Sequence, residues 1–315
     1  MRHALLALTL ALSACAAGEA GAPKTPAAKA AWRTAPEGDL NSFFECVKGE
    51  GAALVSAHRG GPDDGFPENA LETFAATLAA APALIETDVA TSSDGVLFLL
   101  HDDTLDRTTT GAGAANETPW AAIRSLKLKD PNGAPTPYSP PAFADALAFL
   151  KDRAVLQVDF KRSTRYEDVI DEIIRQGAED RVILIAYTLG QAERLHRLAP
   201  GMMISLNVGA QTDLNRAVAS GIPATRLLGF TGVEEPKPRL FSILDSQDVE
   251  VIFGTLGGRD SIDAELEASG GDAFYADLAA MGADIIATDR PRAAQAALEA
   301  EGRGVKAGIC GVSKG

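Results

Sequence analysis

The chain has 315 residues, 46% of them hydrophobic and 23% charged, and a formal net charge of −14 at pH 7. That is apolar material for a large core, and an α/β barrel of about 250 residues would hold most of it as one domain. So acidic a chain repels nucleic acid, which excludes DNA and RNA as partners. An anionic substrate would need a local cationic pocket or a metal. Nothing in the pattern implies a protein partner.

Arg2 and His3 precede an apolar run, Ala4 to Leu12, that is too short to span a bilayer. The run ends Leu12-Ser13-Ala14-Cys15, which resembles the lipobox of bacterial lipoproteins, where the cysteine becomes the lipidated first residue. Ala14-Cys15-Ala16 also fits an ordinary small-residue cleavage site. Residues 1–15 are expected to be a lipoprotein signal peptide. The protein is then exported to the periplasmic side and anchored to the membrane through Cys15. Ala16 to about Glu37, rich in Ala, Pro, Gly and Lys, reads as a flexible tether, with lead-in to residue 50. Cys46 precedes the first main strand and Cys310 lies near the C-terminus. The two ends of a barrel lie close together and export permits oxidation, so a disulfide and two unpaired thiols are both open.

From Gly51 onward β-like and helix-like runs alternate. Ala53–Ala57 is a strand, and Asn69–Ala81 has helical periodicity with an N-cap type residue at its start. Leu84–Ala90 is a strand, and Val96–Leu100 is a further apolar run entered through Asp94-Gly95. A turn-rich insertion of about residues 104–140 follows, with a short helix near Trp120–Leu126, then a helix at Phe143–Leu150 and a strand at Ala154–Phe160. Strands at Val182–Ala186, Met202–Leu206, Arg226–Phe230, Val249–Phe253 and Ala283–Ala287 are each followed by a helix: Gln191–Leu198, Asp213–Ser220, Pro238–Gln247, Tyr275–Met281 and Ala293–Glu301. About eight such alternations predict a TIM (β/α)8 barrel over residues 51–303, with 304–315 as a tail. An open doubly wound sheet is the alternative. Gly111-Ala112-Gly113 has Asn116 where a dinucleotide fingerprint needs glycine, so that motif fails.

The chemistry-bearing residues gather at strand ends. Glu86 and Asp88 are two apart in a strand, so both point to one face. Two such carboxylates repel unless a cation lies between them, and a hard divalent cation, Mg²⁺ or Ca²⁺, takes such oxygens. The blander alternative, a solvated edge strand, conflicts with the flanking Leu84, Ile85 and Val89. Asp159 and Lys161 repeat the spacing, giving a candidate third ligand and a cation; a simple salt bridge at the barrel mouth is the alternative. His58 and Arg59 end the first main strand, and Gly60-Gly61 lets the backbone approach a ligand. Arginine suits phosphate because its planar fork gives paired hydrogen bonds. His101 ends the run Val96–Leu100. His3 belongs to the signal segment and His196 sits on a polar helix face, which leaves His58 and His101 for acid–base work near neutral pH.

The ordered set His58-Arg59-Gly60, Pro67-Glu68-Asn69, Glu86-Thr87-Asp88, His101-Asp102, Leu105-Asp106-Arg107-Thr108-Thr109, Asp159-Phe160-Lys161 and Thr288-Asp289-Arg290-Pro291 resembles the glycerophosphodiester phosphodiesterases. The resemblance implies a TIM barrel with an insertion after His101. It implies hydrolysis of a glycerophosphodiester to sn-glycerol 3-phosphate and an alcohol. By the same resemblance His58 and His101 are the acid–base pair, in either order. Arg59 and Lys161 hold the phosphate, Glu86, Asp88 and Asp159 bind one divalent metal ion, and Glu68 is a supporting residue. Two positions depart from the family: it usually has Glu at Asp159, and often Trp-Thr where Phe253-Gly254-Thr255 stands, so a looser metal site and an altered alcohol pocket are expected. The alternatives are lysophospholipase D or phospholipase D-like cleavage of lipid substrates such as a lysophospholipid, and an exported lipoprotein that binds phosphodiesters without cleaving them.

Overall fold

The structure is a computed structural model that describes residues 31–36 and 38–315. The signal segment, Cys15 and most of the tether lie outside the described residues. In chain order the elements are β1 (Trp32–Thr34), α1 (Leu40–Gly49), β2 (Leu54–Ala57), α2 (Leu71–Ala80), β3 (Ala83–Thr91), β4 (Leu97–Leu99), α3 (Trp120–Ile123), α4 (Phe143–Leu150), β5 (Leu156–Phe160), α5 (Tyr166–Arg175) and β6 (Val182–Ala186). They continue with α6 (Leu189–Leu198), β7 (Met203–Asn207), α7 (Gln211–Ala219), β8 (Leu227–Phe230), α8 (Pro238–Asp245), β9 (Glu250–Gly254), α9 (Ile262–Ser269), α10 (Phe274–Ala280), β10 (Ile285–Thr288), α11 (Pro291–Ala300) and β11 (Val312–Lys314).

Eight parallel strands close on themselves in the order β2, β3, β5, β6, β7, β8, β9, β10, with β10 pairing back onto β2. This is the expected TIM barrel. The strands are apolar on both faces, as a sheet covered on both sides requires. Val55, Ile85, Val158, Leu184, Ile204, Val251 and Ile286 face outward into the layer shared with the helices. Leu54, Leu84, Val155, Ile183, Met203, Leu228 and Ile285 fill the lower barrel, where Phe43, Phe44 and Val47 of α1 close the floor. Further up the same inward faces the side chains become polar: Ser56, Glu86, Asp88, Gln157 and Asp159 are all buried. The period of two thus carries each strand from a dry floor to a charged rim.

The run at 96–100 is the strand β4, which lies outside the barrel, antiparallel on the end of β3 with Val89 opposite Leu99. It starts the insertion, anchored by a small core of Phe98, Leu100, Leu105, Ala115 and Ile123 against Ala90 of β3. The segments read as lead-in and tail are structured. β1 pairs antiparallel with β11, α1 packs under the barrel, and Cys46 is bonded to Cys310 with their Cα atoms 5.7 Å apart. Strands of three residues carry no legible alternation, and their partners lie at opposite chain ends. Two more elements differ from the sequence reading. α5 buries Val169, Ile170, Glu172 and Ile173, and α9 buries just Asp263 and Leu266.

Candidate active site

A cavity of about 260 Å³ opens at the C-terminal rim of the barrel strands, where barrel enzymes carry their chemistry. One wall is polar, formed by His58, Glu86, Asp88, His101 and Asp159. The other is apolar, formed mainly by Ile185, Phe230, Val233, Ile252 and Leu256. Both histidines and all three predicted carboxylates therefore line one cavity. Arg59 and Lys161 sit just behind the carboxylates and bond to them. His196 does not line this cavity.

Each imidazole is held at Nδ1 by a carboxylate. His58 Nδ1 lies 2.6 Å from Asp289 Oδ1, and His101 Nδ1 lies 2.7 Å from Asp102 Oδ1. With Nδ1–H donating to the carboxylate, Nε2 of each ring is left for the substrate. Asp289 is itself held: its Oδ2 accepts from the Gly257 N–H at 3.3 Å, and its backbone N–H donates to buried Asp263 at 2.7 Å. Burial opposes charging His58, but the Asp289 hydrogen bond and the charges of Glu86 and Asp289 outweigh it and raise its affinity for a proton. Asp289 and Asp102 carried no role in the sequence reading. The signal that could have found them was there: Asp102 adjoins His101, and Asp289 lies in the Thr-Asp-Arg-Pro motif.

The turn after β2 is forced into a conformation that few sequences adopt. Arg59, Gly60 and Gly61 have φ of 50°, 87° and 77°. A Cβ at Gly60 would lie 2.3 Å from the Phe74 ring, so glycine is needed for space as well as for φ. The strain at Arg59 is stabilised from three directions. Its N–H donates to Glu86 Oε2 at 2.7 Å, its carbonyl accepts from Asn69 N–H at 2.9 Å, and its guanidinium donates to Glu68 at 3.1 and 3.2 Å. Asn69, expected to cap α2, instead holds a metal-ligand candidate. Its amide donates to Asp88 Oδ2 at 2.7 Å and its carbonyl accepts from Thr87 Oγ1 and Asp88 N–H, while Ala70 occupies the cap position.

Glu86, Asp88 and Asp159 stand on β3 and β5, with Asp88 directly opposite Asp159 in the register. Lys161 bridges them, 3.2 Å from Asp88 Oδ1 and 3.1 Å from Asp159 Oδ2. Burial would raise Asp88, but Lys161 and Arg59 outweigh it and hold its carboxyl below the usual range. Burial, then the Asp88 charge, push Glu86 up to about 8 against the opposing pull of His58 and the Arg59 N–H. Tyr187 donates to Asp159 Oδ2 at 2.9 Å, while Asp159 Oδ1 is buried without any partner.

These observations fit a divalent cation. The donors are hard oxygens, one of them is an orphan, and Glu86 cannot ionise readily without further positive charge nearby. Among the described residues no three His, Cys, Asp or Glu side chains are already gathered as a formed metal site; Lys161 stands between two of the carboxylates. The shorter Asp159 is thus fixed by two donors on one oxygen, and only the other oxygen is free. At the second departure, Gly254 lets the apolar wall close in: a Cβ there would lie 2.7 Å from Val233 Cγ1.

Beyond the wall, the insertion contributes Arg107. Its guanidinium donates to both oxygens of Glu68 at 2.8 Å and to Asp102 at 2.7 and 2.8 Å. Glu68 therefore bonds two arginines, Arg59 and Arg107.

A barrel with paired, carboxylate-held imidazoles and a carboxylate cluster at its C-terminal rim has the build of a hydrolase. The sequence model of the glycerophosphoryl diester phosphodiesterase family matches residues 58–293, and the chain belongs to that family. It is an enzyme of the phosphoric diester hydrolase class. A crystallised glycerophosphoryl diester phosphodiesterase from Parabacteroides distasonis is similar with a TM-score of 0.76 and 26% identity, covering 86% of this chain and 95% of that one. The uncharacterised protein YqiK of Bacillus subtilis is 31% identical over 183 residues, which are 54% of this chain and 73% of that protein. A probable glycerophosphodiester phosphodiesterase 2 of Mycobacterium tuberculosis is 29% identical over 148 residues, 47% of this chain and 53% of that protein.

Proposed function

We propose that the protein hydrolyses glycerophosphodiesters to sn-glycerol 3-phosphate and an alcohol, with His58 and His101 as its acid–base pair. One observation carries this reading: two imidazoles, each tied at Nδ1 to its own carboxylate, face a cavity that they share with Glu86, Asp88 and Asp159. One Nε2 takes the proton from the attacking oxygen, of water or of the substrate's own glycerol hydroxyl; in the second case a cyclic phosphate forms first and water then opens it to glycerol 3-phosphate. The other gives a proton to the alkoxide as its P–O bond breaks. Arg59 and Lys161 add positive charge beside the phosphate.

Glu86, Asp88 and Asp159 would hold one Mg²⁺ or Ca²⁺. When bound, such an ion neutralises charge building on the non-bridging phosphate oxygens. Asp159 Oδ1, a hard oxygen buried with no hydrogen-bond partner, supports it.

The test is a glycerophosphodiester panel assayed for glycerol 3-phosphate, with chelator and with metal added back. Release should stop with chelator, return with metal and vanish in His101→Ala. Substantial turnover by His101→Ala would sink the two-histidine mechanism, and full turnover after exhaustive chelation would sink the metal. A second reading, a lysophospholipid substrate, is favoured by the apolar wall of Phe230, Val233, Ile252 and Leu256, which suits an acyl-bearing alcohol. Turnover of lysophosphatidylcholine against glycerophosphocholine separates the two. Export and anchoring through Cys15 are part of the proposal, supported by the Cys46–Cys310 bond, which forms in an oxidising compartment.

A further inference from the structure

The insertion reaches the site through the Arg107 guanidinium, which bonds two carboxylates at once. Asp102 holds Nδ1 of His101; Glu68 holds the Arg59 guanidinium. The result is an unbroken chain of charge-assisted hydrogen bonds: Arg59, Glu68, Arg107, Asp102, His101. Every distance along it lies between 2.7 and 3.2 Å.

Arg107 is half exposed, and an exposed ion pair usually contributes little to stability. Its geometry argues for another use. The backbone that presents it is braced on both sides. Leu105 is fully buried, with its carbonyl accepting from Thr109 N–H and Oγ1, and the Asp106 carbonyl accepts from Lys129 Nζ at 2.8 Å. The side chain is therefore aimed by the fold. Only a planar fork with donors on both edges spans two carboxylates in this way. Without it, Glu68 and Asp102 would face each other as like charges. Asp102 would then be free to swing from Nδ1, and Glu68 would rest on Arg59 alone.

We propose that Arg107 is a positioning residue that sets, through Asp102 and Glu68, the orientations of His101 and Arg59 together, so that the insertion is part of the catalytic apparatus. The proposal rests on the acid–base role given above to His101.

The test compares wild type with Arg107→Met, Arg107→Lys and Arg107→Ala, the last with and without millimolar guanidinium. Arg107→Met should lose on the order of 10- to 100-fold in kcat, the scale seen when groups orienting a reacting side chain are removed. KM should rise as well, through Arg59. Arg107→Lys, with one point charge for two carboxylates, should fall between. Guanidinium should restore part of the activity of Arg107→Ala and none to wild type. Thermal melts run alongside should show Arg107→Lys folded, so the test survives if Arg107→Met does not fold. Wild-type kcat and KM in Arg107→Lys and Arg107→Met, with no guanidinium rescue of Arg107→Ala, overturn this role alone. Absence of turnover in wild type overturns the hydrolytic reading and this role with it.

Discussion

Asp289→Asn tests how His58 is held. The two side chains have the same shape, so any effect comes from charge and from the count of acceptors. Asp289 uses both oxygens as acceptors: Oδ1 for His58 Nδ1 at 2.6 Å and Oδ2 for Gly257 N–H at 3.3 Å. An amide has one oxygen, so its NH₂ must face either the Gly257 donor or His58. A hydrogen bond to a charged group contributes about 1.5–3 kcal/mol, and a charge-assisted one is roughly twice as strong as a neutral one. Losing the charge and setting donor against donor should together cost about 2–3 kcal/mol in the transition state, or roughly 30- to 150-fold in kcat. KM should change little, because Asp289 does not line the cavity. The sign of the pH effect is fixed too. His58 is buried, which opposes protonation, and Asp289 is the main group that restores it. The variant's limb set by His58 must therefore move to lower pH. Steady-state release of glycerol 3-phosphate from about pH 5 to 9, the range in which histidines titrate, reads both numbers. A variant within about threefold of wild-type kcat, with an unmoved profile, would refute the pairing as a functional device.

Three further outcomes concern stability. Cys46→Ser opens a loop of 264 residues, whose closure stabilises by about 5.6 kcal/mol in the chain-entropy limit; urea unfolding without reductant should show a loss of about 3–5 kcal/mol, and an unchanged midpoint would mean the floor is held by packing alone. Gly60→Ala puts a methyl group 2.3 Å from the Phe74 ring at φ of 87°, so a loss above about 3 kcal/mol is expected, partly recovered by Phe74→Leu; a wild-type melt for Gly60→Ala would contradict the tight turn. Glu250 is fully buried with neither carboxylate oxygen hydrogen-bonded. Burial pushes its carboxyl up to about 8, offset in part by its own backbone N–H, with Glu45 and Asp284 adding to the rise. A carboxyl raised on folding contributes stability below its unfolded value near 4.5 that is lost as pH climbs through about 8. Glu250→Gln should therefore melt higher than wild type at about pH 9 and show no such gain at about pH 5; equal melts on the alkaline side would remove the buried carboxylate as a source of alkaline instability.

What the sequence made legible is what depends on near neighbours. The period of two in Leu84–Ala90 put Glu86 and Asp88 on one face, and the rim position of strand ends brought His58, His101 and Asp159 to the same cavity. The closing of the barrel followed from the count of alternations. What stayed hidden depends on partners far along the chain. His58 and Asp289 are 231 residues apart, Arg107 and Glu68 are 39 apart, and β1 finds β11 at the opposite terminus. Asn69 shows the same limit in miniature. Its type and place before a helix suited a cap, but Asp88, 19 residues on, offered its amide a charged and buried acceptor. A helix end near the surface can give its N–H groups to water, whereas a buried carboxylate left unpaired costs far more. The costlier loss decides where the amide points, and it cannot be weighed until the fold has brought the two residues together. Local pattern therefore selects the groups that react, and tertiary contact selects the groups that aim them. For this barrel, the residues that aim are where substitution should most clearly separate kcat from folding.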